Sequence, residues 1–126
     1  MVTLRSPNLR AFPPLETLFP LWEPSTISLM RVIAVRALKA FWQMHPDAES
    51  ALRAWYIEAK RASWRSPQDI RNAYRTASFL RNNRVVFNIK GNSYRLIVAI
   101  KYEFQIVYIR FVGTHAEYER VKAEVI

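Results

Sequence analysis

The sequence of 126 residues contains no cysteine, only two glycines and only two histidines. The absence of cysteine excludes disulfide bonds, thiolate metal sites and a cysteine nucleophile, and it fits a reducing compartment. Long apolar runs are also absent: the longest is residues 96–100 (LIVAI), whereas a membrane-spanning helix needs about 20 apolar residues. Charged residues and prolines interrupt the N-terminal stretch, so we expect no signal peptide, a cytoplasmic location and no membrane partner.

Acidic residues are scarce beside basic ones. The chain has 10 Asp and Glu against 19 Lys and Arg, which gives a formal net charge of +9 and a pI of about 10.4. Hydrophobic residues make up 51% of the sequence, so it is a folding chain rather than a disordered tail. The charge favours a polyanionic partner, of which nucleic acid is the commonest and an acidic protein or an anionic membrane surface are the alternatives.

Proline and charge divide the chain into two unequal parts. Residues 1–29 hold five of the seven prolines and have no net charge, so residues 30–126 carry the whole +9. The prolines predict no regular ladder in this leader. It is either an arm that packs on the domain or on a partner through residues 15–22, or a stretch that precedes a start at Met30. We predict one domain, residues 30–126.

Hydrophobic periodicity predicts the elements of that domain. Ser66 and Pro67 fit the N-cap and first position of a helix. The predicted helices are 36–44, 46–61 and 66–74, and the predicted strands are 30–35, 84–89, 94–101 and 106–112.

Turn and cap signals connect the last of these elements. Residues 90–93 form a hairpin turn in which Gly91 or Asn92 takes a positive φ, and residues 102–105 form a second turn. Thr114 and Glu117 fit a capping box that begins a short C-terminal helix. The order predicts an α+β fold: a small antiparallel sheet with N-terminal helices packed on one face and a short C-terminal helix.

Polar residues meet where two of the predicted strands end. Asn88 and Lys90 alternate with apolar neighbours, so we expect both on one face of the sheet, with Arg95 across the hairpin. His115 follows the last strand, and Tyr118 lies three residues later on the same side of the helix. These five residues form the predicted cluster.

The cluster suits phosphate chemistry. Lys90 and Arg95 are suited to hold a phosphate, and His115 to move protons near neutral pH. Tyr118 is suited to bind a phosphate or stack on a base. We therefore predict Lys90, Arg95, His115 and Tyr118 as catalytic residues. Paired carboxylates are missing, which argues against a two-metal nuclease, so we expect no metal and no cofactor. This favours RNA cleavage in which the 2′-hydroxyl attacks the adjacent phosphate.

Each of these residues has a plainer interpretation. Lys90 and Arg95 are also consistent with solvated charges, His115 with a structural helix start, and Asn92 with a turn residue. Arginines around residues 77–80 are consistent with a solvated face or with a track for the nucleic-acid backbone. We place five residues in the predicted RNA-binding set: Asn88, Asn92, Arg75, Arg81 and Arg84.

Three segments together resemble the HigB-type toxins of bacterial type II toxin–antitoxin systems, members of the RelE-like superfamily. They are MRVIAVRALKAFWQMHPDAESALRAWY, NRVVFNIKGNSYRLIVAI and YIRFVGTHAEY, within about residues 30–120. The resemblance implies that Arg95 is the phosphate-binding arginine and that Tyr118 is the tyrosine of the C-terminal helix. It implies that His115 stands where relatives carry an arginine or histidine. Asn88 departs from the pattern, because relatives carry a lysine there, and this leaves open whether Lys90 or His115 is the base.

The resemblance implies a small basic endoribonuclease that cleaves mRNA on the translating ribosome and inhibits translation. Its implied partners are mRNA on the ribosome and a cognate antitoxin of helix-turn-helix type, with operator DNA bound only through the toxin–antitoxin complex. Two other functions remain open from the residues themselves. One is a non-enzymatic RNA- or ribosome-binding module that acts by occupancy. The other is a protein-interaction domain whose charge serves only an acidic antitoxin.

Overall fold

The β-rich half of the chain forms the strands that its β-branched and aromatic residues predict. The structure is a computed structural model that describes residues 29–126, so the predicted leader lies, except for Leu29, outside the described residues. The elements in chain order are β1 (Arg31–Ile33), α1 (Arg36–Met44), a 3-10 turn (Pro46–Ala48), α2 (Glu49–Arg61), α3 (Pro67–Ala73), β2 (Ser78–Leu80), β3 (Arg84–Ile89), β4 (Tyr94–Lys101), a 3-10 turn (Tyr102–Phe104), β5 (Ile106–Thr114) and α4 (His115–Tyr118).

The five strands form one sheet in the order β1-β5-β4-β3-β2. Neighbouring strands are antiparallel, except that the short β1 runs parallel to β5 at the edge. The predicted α+β class is therefore confirmed. The predicted bounds of β3 and β4 are also confirmed, while β5 continues two residues further, to Thr114.

Helices α1, α2 and α3 cover one face of the sheet. Their apolar positions meet those of β3, β4 and β5 in a single buried cluster that includes Leu52 and Trp55 of α2, Phe87 of β3 and Leu96 of β4. Each large side chain buried in this way contributes about 1.5–3 kcal/mol. Trp55 packs edge-to-face on Phe87 at 5.4 Å between ring centroids. Trp55 is 1% exposed and is therefore a core residue rather than a base-stacking platform.

One strand was not predicted. β2 pairs with β3 through a three-residue turn, residues 81–83, in which Asn82 and Asn83 both have positive φ, 60° and 58°. This is the backbone conformation of a tight hairpin turn, and asparagine tolerates it better than most residues. Residues 77–80, around which the sequence places a run of arginines, are therefore mostly a strand at the edge of the sheet.

Candidate active site

A row of residues crosses the sheet on the face turned away from the helices, here called the polar face. Asn88 of β3 pairs with Arg95 of β4, and Arg95 pairs with Gly113 of β5. Phe87 and Leu96, the neighbours along each strand, belong to the buried core. Because side chains alternate between the two faces of a strand, Asn88 and Arg95 lie together on the polar face. Two residues of the predicted cluster, Asn88 and Arg95, are therefore brought together.

Arg95 is held in place without being neutralised. Its Nη1 donates hydrogen bonds to the main-chain oxygens of Asn92 at 2.9 Å and Tyr94 at 3.3 Å. Its guanidinium carbon lies 5.8 Å from the centre of the Tyr118 ring, within cation–π range. In the described part of the chain, no Asp or Glu side chain forms an ion pair with it. A fixed guanidinium with spare donors is suited to bind a phosphate.

The helix that carries His115 and Tyr118 begins with the predicted capping box. The Thr114 hydroxyl accepts a hydrogen bond from the Glu117 N–H at 3.1 Å, and the Glu117 carboxylate accepts one from the Thr114 N–H at 2.8 Å. These two bonds fix the direction in which the chain leaves β5. His115 is exposed, and its Nε2 lies 3.2 Å from the Glu119 carboxylate, four residues later. His115 and Tyr118 are neighbours on the helix surface, and Tyr118 contacts Arg95.

Gly113 lies in a crowded position at the end of β5. A Cβ atom at this position would lie 2.5 Å from Cζ of Phe111 and 2.8 Å from a carboxylate oxygen of Glu117. The ring and the carboxylate therefore occupy the space that any other residue would need. The same carboxylate caps α4, so crowding at Gly113 is transmitted to the helix start.

Gly113→Ala is expected to destabilise the protein by about 1–2 kcal/mol, since both overpacking and loss of a cap cost energies of this order. Urea denaturation measures the change. The double-mutant cycle with Phe111→Leu separates the causes, because the shorter side chain relieves the ring contact but not the crowding of Glu117. An equal effect of Gly113→Ala in both backgrounds would show that the ring contact is not the cause.

Lys90 does not share the polar face with Asn88 in the way that strict alternation predicted. The strand ends at Ile89, and Lys90 takes a positive φ of 54°, next to Gly91 at 65°. The turn directs the Lys90 ammonium to the Asp47 carboxylate at 3.0 Å. Asp47 also accepts a hydrogen bond from the Tyr94 hydroxyl at 2.6 Å. Tyr94 belongs to the core on the helix side, so Lys90 contacts the helix layer rather than Arg95.

The hydrogen bond from Tyr94, and then the contact with Lys90, lower the pKa of Asp47 below its ordinary value of 3.8. A carboxylate whose pKa is lower in the folded than in the unfolded state stabilises the fold above the unfolded value. That stabilisation is lost as the pH falls through the folded pKa. Asp47→Asn is therefore expected to lower the urea midpoint at neutral pH, and the difference from the parent should shrink below about pH 4. A difference that grows with acidification would contradict the assignment.

The residues predicted to bind RNA are dispersed. Arg75 and Arg81 are exposed, and Asn92 contributes its main-chain oxygen to Arg95. Arg84 lies on the polar face but binds the main-chain oxygen of Ile126, with Nη2 at 2.8 Å. Arg110, which sequence reasoning missed, binds the same oxygen at 3.1 Å. No sequence signal indicated it, because it is the extra residue where the register of β4 and β5 shifts.

A separate groove of about 700 Å³ lies between α1, the end of β5 and the segment after α4. Its lining is mainly apolar and includes Phe41, Met44 and Phe111, and none of the four predicted catalytic residues contributes to it. Between residues 29 and 126, no helix is long and apolar enough to cross a membrane. Over that same range, no three His, Asp or Glu side chains come together in a group that could hold a metal ion.

Comparison with known proteins identifies related chains. Residues 48–121 match the HigB toxin family, described as the RelE-like toxic component of a toxin–antitoxin system. The mRNA interferase toxin HigB of Escherichia coli K12 is 27% identical over 92 residues, which cover 71% of this chain and 88% of that protein. The mRNA interferase HigB of Escherichia coli O6:H1 is 23% identical over 94 residues, covering 73% of this chain and 91% of the relative.

Proposed function

Because the chain belongs to the HigB family of RelE-like toxins of toxin–antitoxin systems, we propose that it is an endoribonuclease that cleaves mRNA and so inhibits translation. The observation that carries the proposal is Arg95, fixed by its own hairpin, free of any carboxylate among residues 29–126, and stacked over Tyr118. The relatives named mRNA interferase support the same substrate.

The proposed reaction needs only the RNA and the side chains of the cluster. The 2′-oxygen attacks the adjacent phosphorus and loses its proton, and the bond from phosphorus to the 5′-oxygen breaks as that oxygen gains a proton. The products are a 2′,3′-cyclic phosphate and a 5′-hydroxyl. Arg95 stabilises the negative charge that grows on the phosphoryl oxygens. Tyr118 stacks on a base or hydrogen-bonds a phosphate beside the cut.

We assign the proton transfers to His115 and a supporting electrostatic role to Lys90. The ammonium of Lys90 is already paired with Asp47 on the helix side. His115 is exposed on the helix that carries Tyr118, and a neutral imidazole whose Nε2 donates to Glu119 keeps its other nitrogen as an acceptor. Asn88, Asn92 and the exposed arginines at 75 and 81 contact the rest of the RNA in this proposal.

We place the reaction on the ribosome. Two or three catalytic side chains on an open face bind RNA without fixing the 2′-hydroxyl in line with its phosphate. Much of the rate of such reactions comes from correct alignment, which is worth up to about 7–11 kcal/mol. A translating ribosome holds mRNA in a defined geometry and is suited to supply this alignment.

Cleavage and its chemistry are tested with the purified protein in a translation reaction. Primer extension should reveal cuts at defined codon positions, and the fragments should end in a 2′,3′-cyclic phosphate. On isolated RNA, any cleavage should persist in EDTA, and a 2′-O-methyl group at the cut position should prevent it. Intact mRNA on stalled ribosomes would contradict the proposal, as would cleavage that survives 2′-O-methylation.

A non-enzymatic module that blocks translation by occupancy is the second candidate. His115 is exposed, is paired with Glu119 and lies outside the row formed by Asn88 and Arg95. This position favours the binding module. A growth assay with His115→Gln discriminates between the two functions. Persistent toxicity with unbroken mRNA would support the binding module, whereas relief of toxicity supports the nuclease.

The partner that follows from the family is a cognate antitoxin. We propose that it is a helix-turn-helix protein encoded beside this chain, and that operator DNA is bound only through the complex of the two. Co-expression with the adjacent small reading frame should relieve toxicity and yield a co-purifying complex. DNA binding by the toxin alone, equal to that of the complex, would contradict this arrangement.

A further inference from the structure

Two arginines on the polar face converge on one oxygen atom. Nε and Nη2 of Arg84 lie 3.2 and 2.8 Å from the main-chain oxygen of Ile126, and Nε of Arg110 lies 3.1 Å from the same atom. Arg84 belongs to β3 and Arg110 to β5, so the oxygen lies above β4, the strand between them. Residues 119–126, here called the C-terminal tail, therefore cross the polar face.

The two guanidinium groups are arranged in the way that binding of an oxyanion requires. Nη1 of Arg84 donates to the main-chain oxygen of Asn82 at 2.9 Å, which leaves the forked edge of Nε and Nη2 directed at Ile126. Within residues 29–126, neither arginine is paired with an Asp or Glu side chain. Two guanidinium groups that share one oxygen acceptor are suited to bind an anionic oxygen.

The position of this site relates it to the candidate active site. Arg84 and Asn88 lie on the same face of β3, four residues apart, which is about 13 Å at about 3.3 Å per residue. Asn88 pairs with Arg95, so the two arginine sites lie at the two ends of one strip of the sheet. One phosphate cannot contact both sites. Two phosphates of a single RNA strand can.

We propose that Arg84 and Arg110 form a second phosphate-binding subsite for single-stranded RNA, and that the C-terminal tail occupies it when RNA is absent. The main-chain oxygen of Ile126 stands in for a phosphate oxygen. Asn82 tethers the tail independently, because its side-chain amide donates to the main-chain oxygen of Glu124 at 2.9 Å. RNA binding displaces the tail and lengthens the contact with the strand. The inference rests on the proposed function for its ligand.

The test measures binding of a 2′-O-methylated single-stranded RNA, which the proposed reaction cannot cleave. A chain that lacks residues 124–126 should bind this RNA more tightly than the full chain. With two additional phosphate contacts, the slope of log affinity against log salt steepens by about 1.4, or about 0.7 per contact. The ratio of the two affinities should therefore grow about sevenfold between about 200 mM and about 50 mM salt.

Matched variants show whether a change in RNA affinity comes from the position of the tail, from the charge of Glu124 or from altered folding. Glu124→Gln removes the same carboxylate but keeps the tail, and it should leave the salt slope unchanged. Asn82→Gly keeps the positive φ of the turn, removes one tether, and should give a smaller increase in affinity. With Arg84→Ala and Arg110→Ala together, the truncation should have no effect. An increase of equal size in that background, or no increase in the parent, would overturn the inference.

The failure of this inference is distinguishable from failure of the proposed function. Tighter binding on truncation together with uncut mRNA would overturn the nuclease and leave the subsite standing. If mRNA is cleaved but the truncation does not change RNA binding, the subsite is overturned and the nuclease stands. A circular dichroism spectrum and a urea midpoint for each variant establish that the truncated chain is folded.

Discussion

Arg95→Ala is expected to slow RNA cleavage by about 10²–10³-fold, because removing one preorganised donor to a developing negative charge has an effect of this size. The guanidinium is already positioned by the main-chain oxygens of Asn92 and Tyr94, so it need not reorganise during the reaction. The loss should appear in single-turnover cleavage of a ribosome-bound mRNA. RNA binding should weaken much less, since one phosphate contact is lost.

Lys101→Ala is the matched control for Arg95→Ala. Lys101 lies at the other end of β4, six residues from Arg95 on the same face and exposed, so its removal makes the same charge change on the same strand. We expect cleavage by this variant within about threefold of the parent, because an exposed charge acts mainly through screened attraction. Arg95→Lys should fall between the two, since lysine keeps the charge and loses the fork. Equal losses in Arg95→Ala and Lys101→Ala would show that bulk charge, not a site, governs activity.

The central hairpin was predictable because the pattern that forms it is local. The residues that β3 and β4 contribute to the core cluster alternate along each strand, and the turn between the strands contains a glycine. The bounds of both strands and the faces of Asn88 and Arg95 could therefore be predicted. The start of α4 was predictable for the same reason, since the capping box needs only residues 114–117. The face that carries Asn88 and Arg95 follows from the alternation along β3 and β4 alone.

The rest depends on contacts between residues that are distant in the sequence. Lys90 binds Asp47, 43 residues away, and no periodicity in either segment indicates that pairing. Arg84 and Ile126 are 42 residues apart, and the site they share with Arg110 depends on a register shift in β5. β2 is different, because its turn is local: Asn82 and Asn83 both take a positive φ, which asparagine tolerates better than most residues.

His115→Ala is expected to slow cleavage by about 10²–10⁴-fold, the range typical of a group that transfers protons in the transition state. His115→Gln should lose as much, because glutamine keeps hydrogen-bonding capacity without being able to move a proton at neutral pH. RNA affinity should change little in either variant. The measurement is the same single-turnover assay with saturating ribosome complex, so that only the chemical step is compared.

His45→Gln is the control that separates chemistry from the mere loss of an imidazole. His45, the other histidine of the chain, stacks on Phe41 at 4.3 Å between ring centroids and lines the apolar groove. Its replacement should leave cleavage close to that of the parent. Glu119→Gln should also have a small effect, because an exposed pair four residues apart on a helix is worth only about 0.3–0.5 kcal/mol. Full cleavage by His115→Gln would remove the imidazole from the mechanism and assign the proton transfer to Lys90, which Lys90→Ala would then abolish.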